Sequence, residues 1–145
     1  MFRIGFWNTN RKPAAKLISA MVLEQNLNLI AVLEPAEGAA AYLDALNSPQ
    51  QGRWSSPRGM CQRIALYARF PASKIRARKE SRHHTIRTIA LPGLPELTLV
   101  GVHLKSKLRQ VESSQPYSVI RLMEDIRRVE TSRNHARTIV LGDFN

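Results

Sequence analysis

The segment LNLIAVLE (27–34) decides the fold. It is a short, nearly continuous apolar run, the pattern of a strand buried on both faces. Upstream, FRIGFW (2–7) places Phe2, Ile4 and Phe6 on one face, the alternation of a second strand. NTNRKPAAK (8–16) turns the chain between them, and Pro13 suits the first turn of a helix. Ala14, Leu17, Ile18, Met21, Val22 and Gln25 then fall at helical spacing, and Asn26 is a stop signal. Strand, helix and strand within about thirty residues make a βαβ unit, which predicts a parallel pair.

Working outward, GAAAYLDAL (38–46) reads as a second helix and NSPQQG (47–52) as a turn cluster. RIALYARF (63–70), TIRTIAL (85–91) and LTLVGVHL (97–104) read as strands. KIRARKE (74–80) is a weaker strand, expected to form a hairpin with TIRTIAL. KSKLRQVESSQ (105–115) reads as a polar, basic loop. From Pro116 a long helix follows, with Val119, Ile120, Met123, Ile126 and Val129 predicted as its apolar stripe. TIVLGDFN (138–145) reads as a buried strand running into Gly-Asp-Phe-Asn. The order predicts an α/β protein with a mostly β core and helices packed outside.

The chain has 145 residues, enough for one domain with its own core. Its 43% hydrophobic content argues against disorder, and its apolar stretches are far shorter than a membrane span. The N-terminus enters a strand pattern at once and carries no signal-type segment, so a cytoplasmic address is the default expectation. Cys61 is the single cysteine, which excludes an internal disulfide and a thiolate metal site; a buried, inert thiol is expected. With 22 Lys and Arg against 11 Asp and Glu, the net charge is +11. That balance favours polyanionic partners, either nucleic acid or acidic lipid.

Polar residues gather at the C-terminal ends of the predicted strands. Asn8 follows the first, Glu34 the second, His103 sits near the end of LTLVGVHL, and Asp143 and Asn145 follow TIVLG. Each has an ordinary reading: a turn residue, a solvated strand end, a satisfied core histidine. Their coincidence at the strand ends, where sites form in sheets with helical crossovers, marks a candidate site. The set offers oxygen ligands and one imidazole, which suits Mg²⁺ or Mn²⁺ better than Zn²⁺. Mg²⁺ takes only one or two protein carboxylates, keeps several waters and gives its other positions to substrate phosphate.

In order along the chain, FWNTN (6–10), LIAVLEP (29–35), VHLKSK (102–107) and VLGDFN (140–145) resemble the motifs of the endonuclease/exonuclease/phosphatase superfamily, the DNase I-like and exonuclease III-like proteins. The resemblance implies a four-layer α/β sandwich, of which this chain supplies the first sheet with flanking helices. It also implies that residues 1–145 are an incomplete domain. GDFN sits near the middle of family domains, so the later strands and the Ser-Asp-His segment are expected to lie in a missing C-terminal half. That half, or a partner chain, would cover an otherwise exposed sheet.

By the same resemblance, Glu34 is the main metal ligand and Asn8 supports it. Asp143 orients or activates the attacking water, or assists the leaving group. Asn145 holds a phosphate oxygen, and His103 contacts the scissile phosphate. The expected activity is Mg²⁺- or Mn²⁺-dependent hydrolysis of a phosphodiester or phosphomonoester, by a nuclease first of all. The general-base histidine has no counterpart in the sequence, and a base contributes roughly 10²–10⁴-fold, so the chain alone is expected to be inactive or nearly so. One position departs from the family habit: Leu33 stands where a glutamine usually precedes the metal glutamate.

Lys74, Arg76, Arg78, Lys79, Arg82 and Arg87 crowd one stretch against Glu80, and Lys105, Lys107 and Arg109 follow His103. Lysine and arginine beside a phosphate site neutralise backbone charge without reading sequence. Lys105, Lys107 and Arg109 are therefore candidate substrate-binding residues, and nucleic acid is the first expected partner. A phosphoinositide or other acidic phospholipid head group is the second, and charge alone does not separate them. A non-catalytic polyanion-binding remnant is the alternative to an enzyme. His83 and His84 match no family motif and are expected to be exposed turn residues.

Overall fold

The structure, a computed structural model, describes residues 1–48, 52–104 and 114–144, with side chains from 116 onward in the last stretch. Lys105, Lys107, Arg109 and Asn145 lie outside the described residues. The elements run β1 (Ile4–Asn8), α1 (Ala15–Glu24), β2 (Leu29–Leu33), α2 (Ala39–Leu46), β3 (Ile64–Ala68), β4 (Ile75–Glu80), β5 (His84–Ile89), β6 (Leu97–His103), α3 (Ser114–Arg133) and β7 (Thr138–Asp143).

Every residue of β2 is buried, as its unbroken apolar run predicts. Burying a Leu or Ile side chain of this kind stabilises by about 1.5–3 kcal/mol, so β2 anchors the first sheet. That sheet has the order β1-β2-β3, with β1 parallel and β3 antiparallel to β2. Helix α1 makes the parallel crossover. It ends at Asn26, whose φ of 48° is the left-handed conformation that stops a helix. Its N-terminus has no cap of its own. The carboxylate of Glu37 instead accepts from the Ala14 and Ala15 N–H groups, at 2.8 and 2.9 Å, where orphan donors and the helix dipole favour an anion.

A second sheet has the order β4-β5-β6-β7. The β4–β5 hairpin forms as expected, with a bulge between Ala77 and Lys79, and α3 returns the chain so that β7 lies parallel to β6. The chain thus contributes to two sheets rather than to the first alone. Their facing sides bury Leu29, Ala31 and Leu66 against Ile75, Ile89 and Leu99. The outer face of the first sheet packs Ile30, Val32 and Tyr67 on Ile18, Val22, Tyr42 and Leu46 of α1 and α2. The outer face of the second packs Ile86, Val100 and Val102 on Leu122 and Val129 of α3. Helices, sheet, sheet and helix make the four layers.

Two expectations are corrected. The stripe of α3 that packs on the sheet is buried Leu122 and Val129 with half-buried Val119 and Ile126, while Ile120 and Met123 are exposed; it follows the three-and-four spacing and includes Leu122, which lies outside the predicted stripe. Strand β7 is not a buried strand. Ile139 and Val140 are each 41% exposed, because among the described residues β7 is the last strand of its sheet and pairs with β6 alone. These neighbouring positions point to opposite faces, so the apolar exposure follows an edge, not one uncovered face. No described helix is long and apolar enough to cross a membrane.

Candidate active site

Strand register brings the predicted residues together. In the first sheet Asn8 pairs with Leu33, the residue before Glu34. In the second, His103 pairs with Asp143. The two parallel pairs end at the same edge of the sandwich, and their side chains meet across the sheets. Asn8 Nδ2 donates to Asp143 Oδ2 at 2.8 Å, and His103 Nε2 lies 3.3 Å from Glu34 Oε1. Four of the five residues assigned catalytic or metal roles from the sequence therefore form one cluster; the fifth, Asn145, is outside the described residues.

Local backbone holds Glu34 in place. Its φ of 47° is left-handed, a conformation that costs a non-glycine residue of order 1 kcal/mol or more and persists only when its surroundings fix it. Thr9 supplies part of that fixing: its N–H donates to Leu33 O at 3.0 Å, and its buried hydroxyl lies 2.6 Å from Glu34 O. The Arg11 N–H donates to Glu34 O, and the Glu34 N–H donates to Arg63 O. Asn8 is fixed as well, since its Oδ1 accepts from the Asn10 N–H at 2.9 Å.

Three cationic or polar groups surround the Glu34 carboxylate. Arg63 and Arg11 reach Oε1 at 3.7 and 3.8 Å. Arg63 also lies 3.3 Å from Nδ1 of the buried His103. A guanidinium can only donate, so Nδ1 of the neutral ring accepts and the proton sits on Nε2, facing Glu34. Sequence reasoning missed Arg11, Arg63 and Thr9. Local periodicity holds no signal for them; the antiparallel register that starts with Leu33 opposite Ile64 brings Arg63 in.

A cleft of about 800 Å³ opens beside Glu34, lined also by Arg11, Gln62, Arg63, Ser81 and Arg82. Its far wall is the start of the β4–β5 turn, held by a buried ion pair. Arg87, 4% exposed, pairs with Glu80, donates to Thr85 Oγ1 at 3.0 Å and reaches Arg58 O at 3.1 Å. Glu80 also accepts from the Met60 N–H at 2.7 Å and the Thr85 hydroxyl at 3.0 Å. Burial pushes the Glu80 carboxyl up, but the Met60 N–H, the Arg87 charge and the Thr85 hydroxyl together hold it below the ordinary range. Gly59 has to be small here, since a Cβ would come within 2.1 Å of Arg87 Nη2.

His84 is not the exposed turn residue the sequence suggested. Its side chain is 12% exposed, with Nδ1 3.0 Å from Ser81 Oγ and Nε2 3.4 Å from Asp125 Oδ2 on α3. Burial lowers its pKa, against Asp125, which raises it. Cys61 is buried as expected, and burial raises its thiol pKa.

Among the described residues, no three His, Cys, Asp or Glu side chains form a metal cage. The donors gathered at the sheet edge are the Glu34 and Asp143 carboxylates, the Asn8 amide joined to Asp143, and the single imidazole of His103 joined to Glu34. Those donors fit a hard divalent ion that keeps most of its waters, and do not fit a tetrahedral thiolate or imidazole site.

Four layers, with polar strand ends converging between the two sheets, define the fold of the endonuclease/exonuclease/phosphatase proteins, the DNase I-like α/β sandwich. Solved structures bear this out. The chain superposes on D. rerio TDP2 humanised by 14 mutations with a TM-score of 0.57 at 14% identity, covering 99% of this chain and 62% of that one. Against D. rerio TDP2 complexed with single-strand DNA product, the TM-score is 0.58 at 14% identity, over 99% and 60% of the two chains. An endonuclease/exonuclease/phosphatase family protein from Leptotrichia buccalis gives 0.57 at 14% identity, over 100% and 67%. The chain thus spans about three-fifths of the TDP2 structures. No family profile and no curated protein matches it by sequence.

Proposed function

We propose that this chain carries the first part of the active site of a divalent-metal-dependent phosphoesterase, a nuclease acting on nucleic acid. The observation that carries the reading is the joining of Asn8 to Asp143 and of Glu34 to His103 across two sheets. Glu34 and Asn8 would hold Mg²⁺ or Mn²⁺. When bound, the ion supplies positive charge to a phosphoryl oxygen. Asp143, oriented by the Asn8 amide, positions the attacking water, and a general base expected outside residues 1–145 would take its proton. Water attacks phosphorus in line, the bond to the leaving oxygen breaks, and that oxygen takes up a proton from solvent water. His103, with its proton on Nε2, stabilises charge on the phosphate, and Asn145 holds one of its oxygens. A TDP2 structure holding a single-strand DNA product supports nucleic acid as the substrate class, and the charge of +11 suits a polyanion of either kind.

Added Mn²⁺ should broaden the NMR resonances of Asn8, Glu34 and Asp143 first, and Glu34→Gln should abolish that selectivity. Uniform broadening in both proteins would overturn the metal assignment. In a labelled-DNA assay the 145-residue chain alone should show little or no cleavage, and robust Mg²⁺-dependent turnover by it would refute the reading of an incomplete domain. The second reading, a non-catalytic polyanion binder, draws on Arg11 and Arg63, which place two positive charges beside the Glu34 carboxylate. It predicts DNA binding without any metal-selective resonances.

A further inference from the structure

We propose that the cleft between Glu34 and the β4–β5 turn seats a second phosphate of a nucleic-acid strand, next to the scissile one, held by Arg11, Arg63 and Arg82. The proposal rests on the nuclease reading of the Glu34 site and extends it to a subsite not assigned from the sequence.

The first argument is charge. Three arginines and two glutamates line the cleft, but Glu80 does not oppose an anion there. Both of its oxygens are occupied, one by Arg87 and Thr85 and the other by the Met60 N–H. Glu34 is the one carboxylate left to face three guanidiniums.

The second argument is commitment. Arg11 and Arg63 approach one Glu34 oxygen only at 3.8 and 3.7 Å, which is longer than a charge-assisted hydrogen bond, and Arg63 spends one nitrogen, Nη1, on His103 at 3.3 Å. The guanidinium of Arg82 has no ion-pair or hydrogen-bond partner among the described residues, and Arg82 is exposed at the cleft wall. Guanidiniums with spare donors in a planar fork match phosphate oxygens.

The third argument is construction. Arg11 stands on a loop in which Asn10 and Arg11 both have left-handed φ, 49° and 58°, and the Arg11 N–H is tied to Glu34 O. Arg63 is tied through its carbonyl to the Glu34 N–H. The opposite wall is pinned by the Glu80–Arg87 pair. One side of the cleft is therefore fixed to the backbone that sets Glu34 and the other to the Arg58–Met60 segment, so a phosphate here would be held at a set distance from the reacting one. Gln62 and the exposed thioether of Met60 give the cleft neutral and apolar surface for the rest of a nucleotide.

The test is fluorescence anisotropy of a short fluorescein-labelled oligothymidylate with the full chain in EDTA, over a salt series. Each phosphate contact with single-stranded nucleic acid contributes about 0.7 to the slope of log affinity against log salt. Arg11→Gln with Arg82→Gln should lower the slope by about 1.4. Arg76→Gln, on the exposed side of β4 and outside the cleft, should leave it unchanged. An equal loss from Arg76→Gln, or no loss from the double variant, would overturn the subsite. So would binding to phosphatidylserine vesicles with the same arginine dependence and none to the oligonucleotide, which would mark a lipid surface. Because EDTA removes turnover, the two readings fail separately: arginine-dependent binding without metal-selective resonances keeps the subsite and removes the hydrolase.

Discussion

Replacing Arg87 by methionine tests how the cleft wall is built. Methionine keeps the length and apolar stem of the arginine and removes the charge. Glu80, whose side chain is 12% exposed, would keep the Met60 N–H and the Thr85 hydroxyl but lose the one ionic partner it has among the described residues. The Arg58 carbonyl and the Thr85 oxygen would each lose a donor. Removing one member of a buried pair costs about 3–5 kcal/mol, a large part of a stability of about 5–15 kcal/mol. With a urea dependence of about 1.5–2 kcal/mol per molar, the midpoint should fall by about 2–3 M. Adding Glu80→Gln should restore more than half of the loss, because no unpaired charge then remains. The pH dependence has a definite sign. The folded Glu80 carboxyl is held below its ordinary value of 4.5, so its contribution is present above about 4.5 and is lost as pH falls below that. The Arg87→Met variant should lose that component. A midpoint shift under about 0.5 M for Arg87→Met, where removal of a buried partner should cost several kcal/mol, would refute the claim that this pair holds the wall.

Two further substitutions probe other joints. Gly142 has a φ of 150°, and a Cβ there would lie 1.9 Å from the Val102 carbonyl oxygen, so Gly142→Ala should part β6 from β7, cost about 2–4 kcal/mol and weaken the Asn8–Asp143 contact; an unchanged urea midpoint would contradict that close approach. Glu96 joins the end of α3 to the start of β6: Arg133 donates to it at 2.7 and 2.8 Å, His135 lies 3.2 Å away, and its pKa is lowered to about 2, chiefly by the Arg133 hydrogen bonds. A depressed carboxyl stabilises above its ordinary 4.5 and loses that effect toward about 2, so α3 amide protection should fall across that window and Glu96→Gln should flatten the fall; identical acid profiles would exclude this role.

By itself, the sequence determined the elements and the layer logic. Apolar runs and helical stripes are local signals: the buried run at β2, the alternation at β1 and the turn residue Asn26 mark the first βαβ unit because each acts within a few residues. The ordered motifs at strand ends likewise carried Asn8, Glu34, His103 and Asp143, since side chains at the C-terminal edge of a sheet have one common place to go. A helix such as α3, in which Ile120 and Met123 are apolar too, offers more than one stripe, so Leu122 is not singled out locally, and an apolar run such as β7 does not report which strand ends a sheet. Only the tertiary structure could bring Arg63 to Glu34 and His103, turn Glu37 onto the α1 N-terminus, or bury Arg87 against Glu80. The Arg63 contacts depend on strand register, the Glu37 contact on the segment after β2 reaching the start of α1, and the Arg87–Glu80 contact on burial that removes an ion pair from water. Those are properties of the packed sandwich, and no local stretch of this chain encodes them.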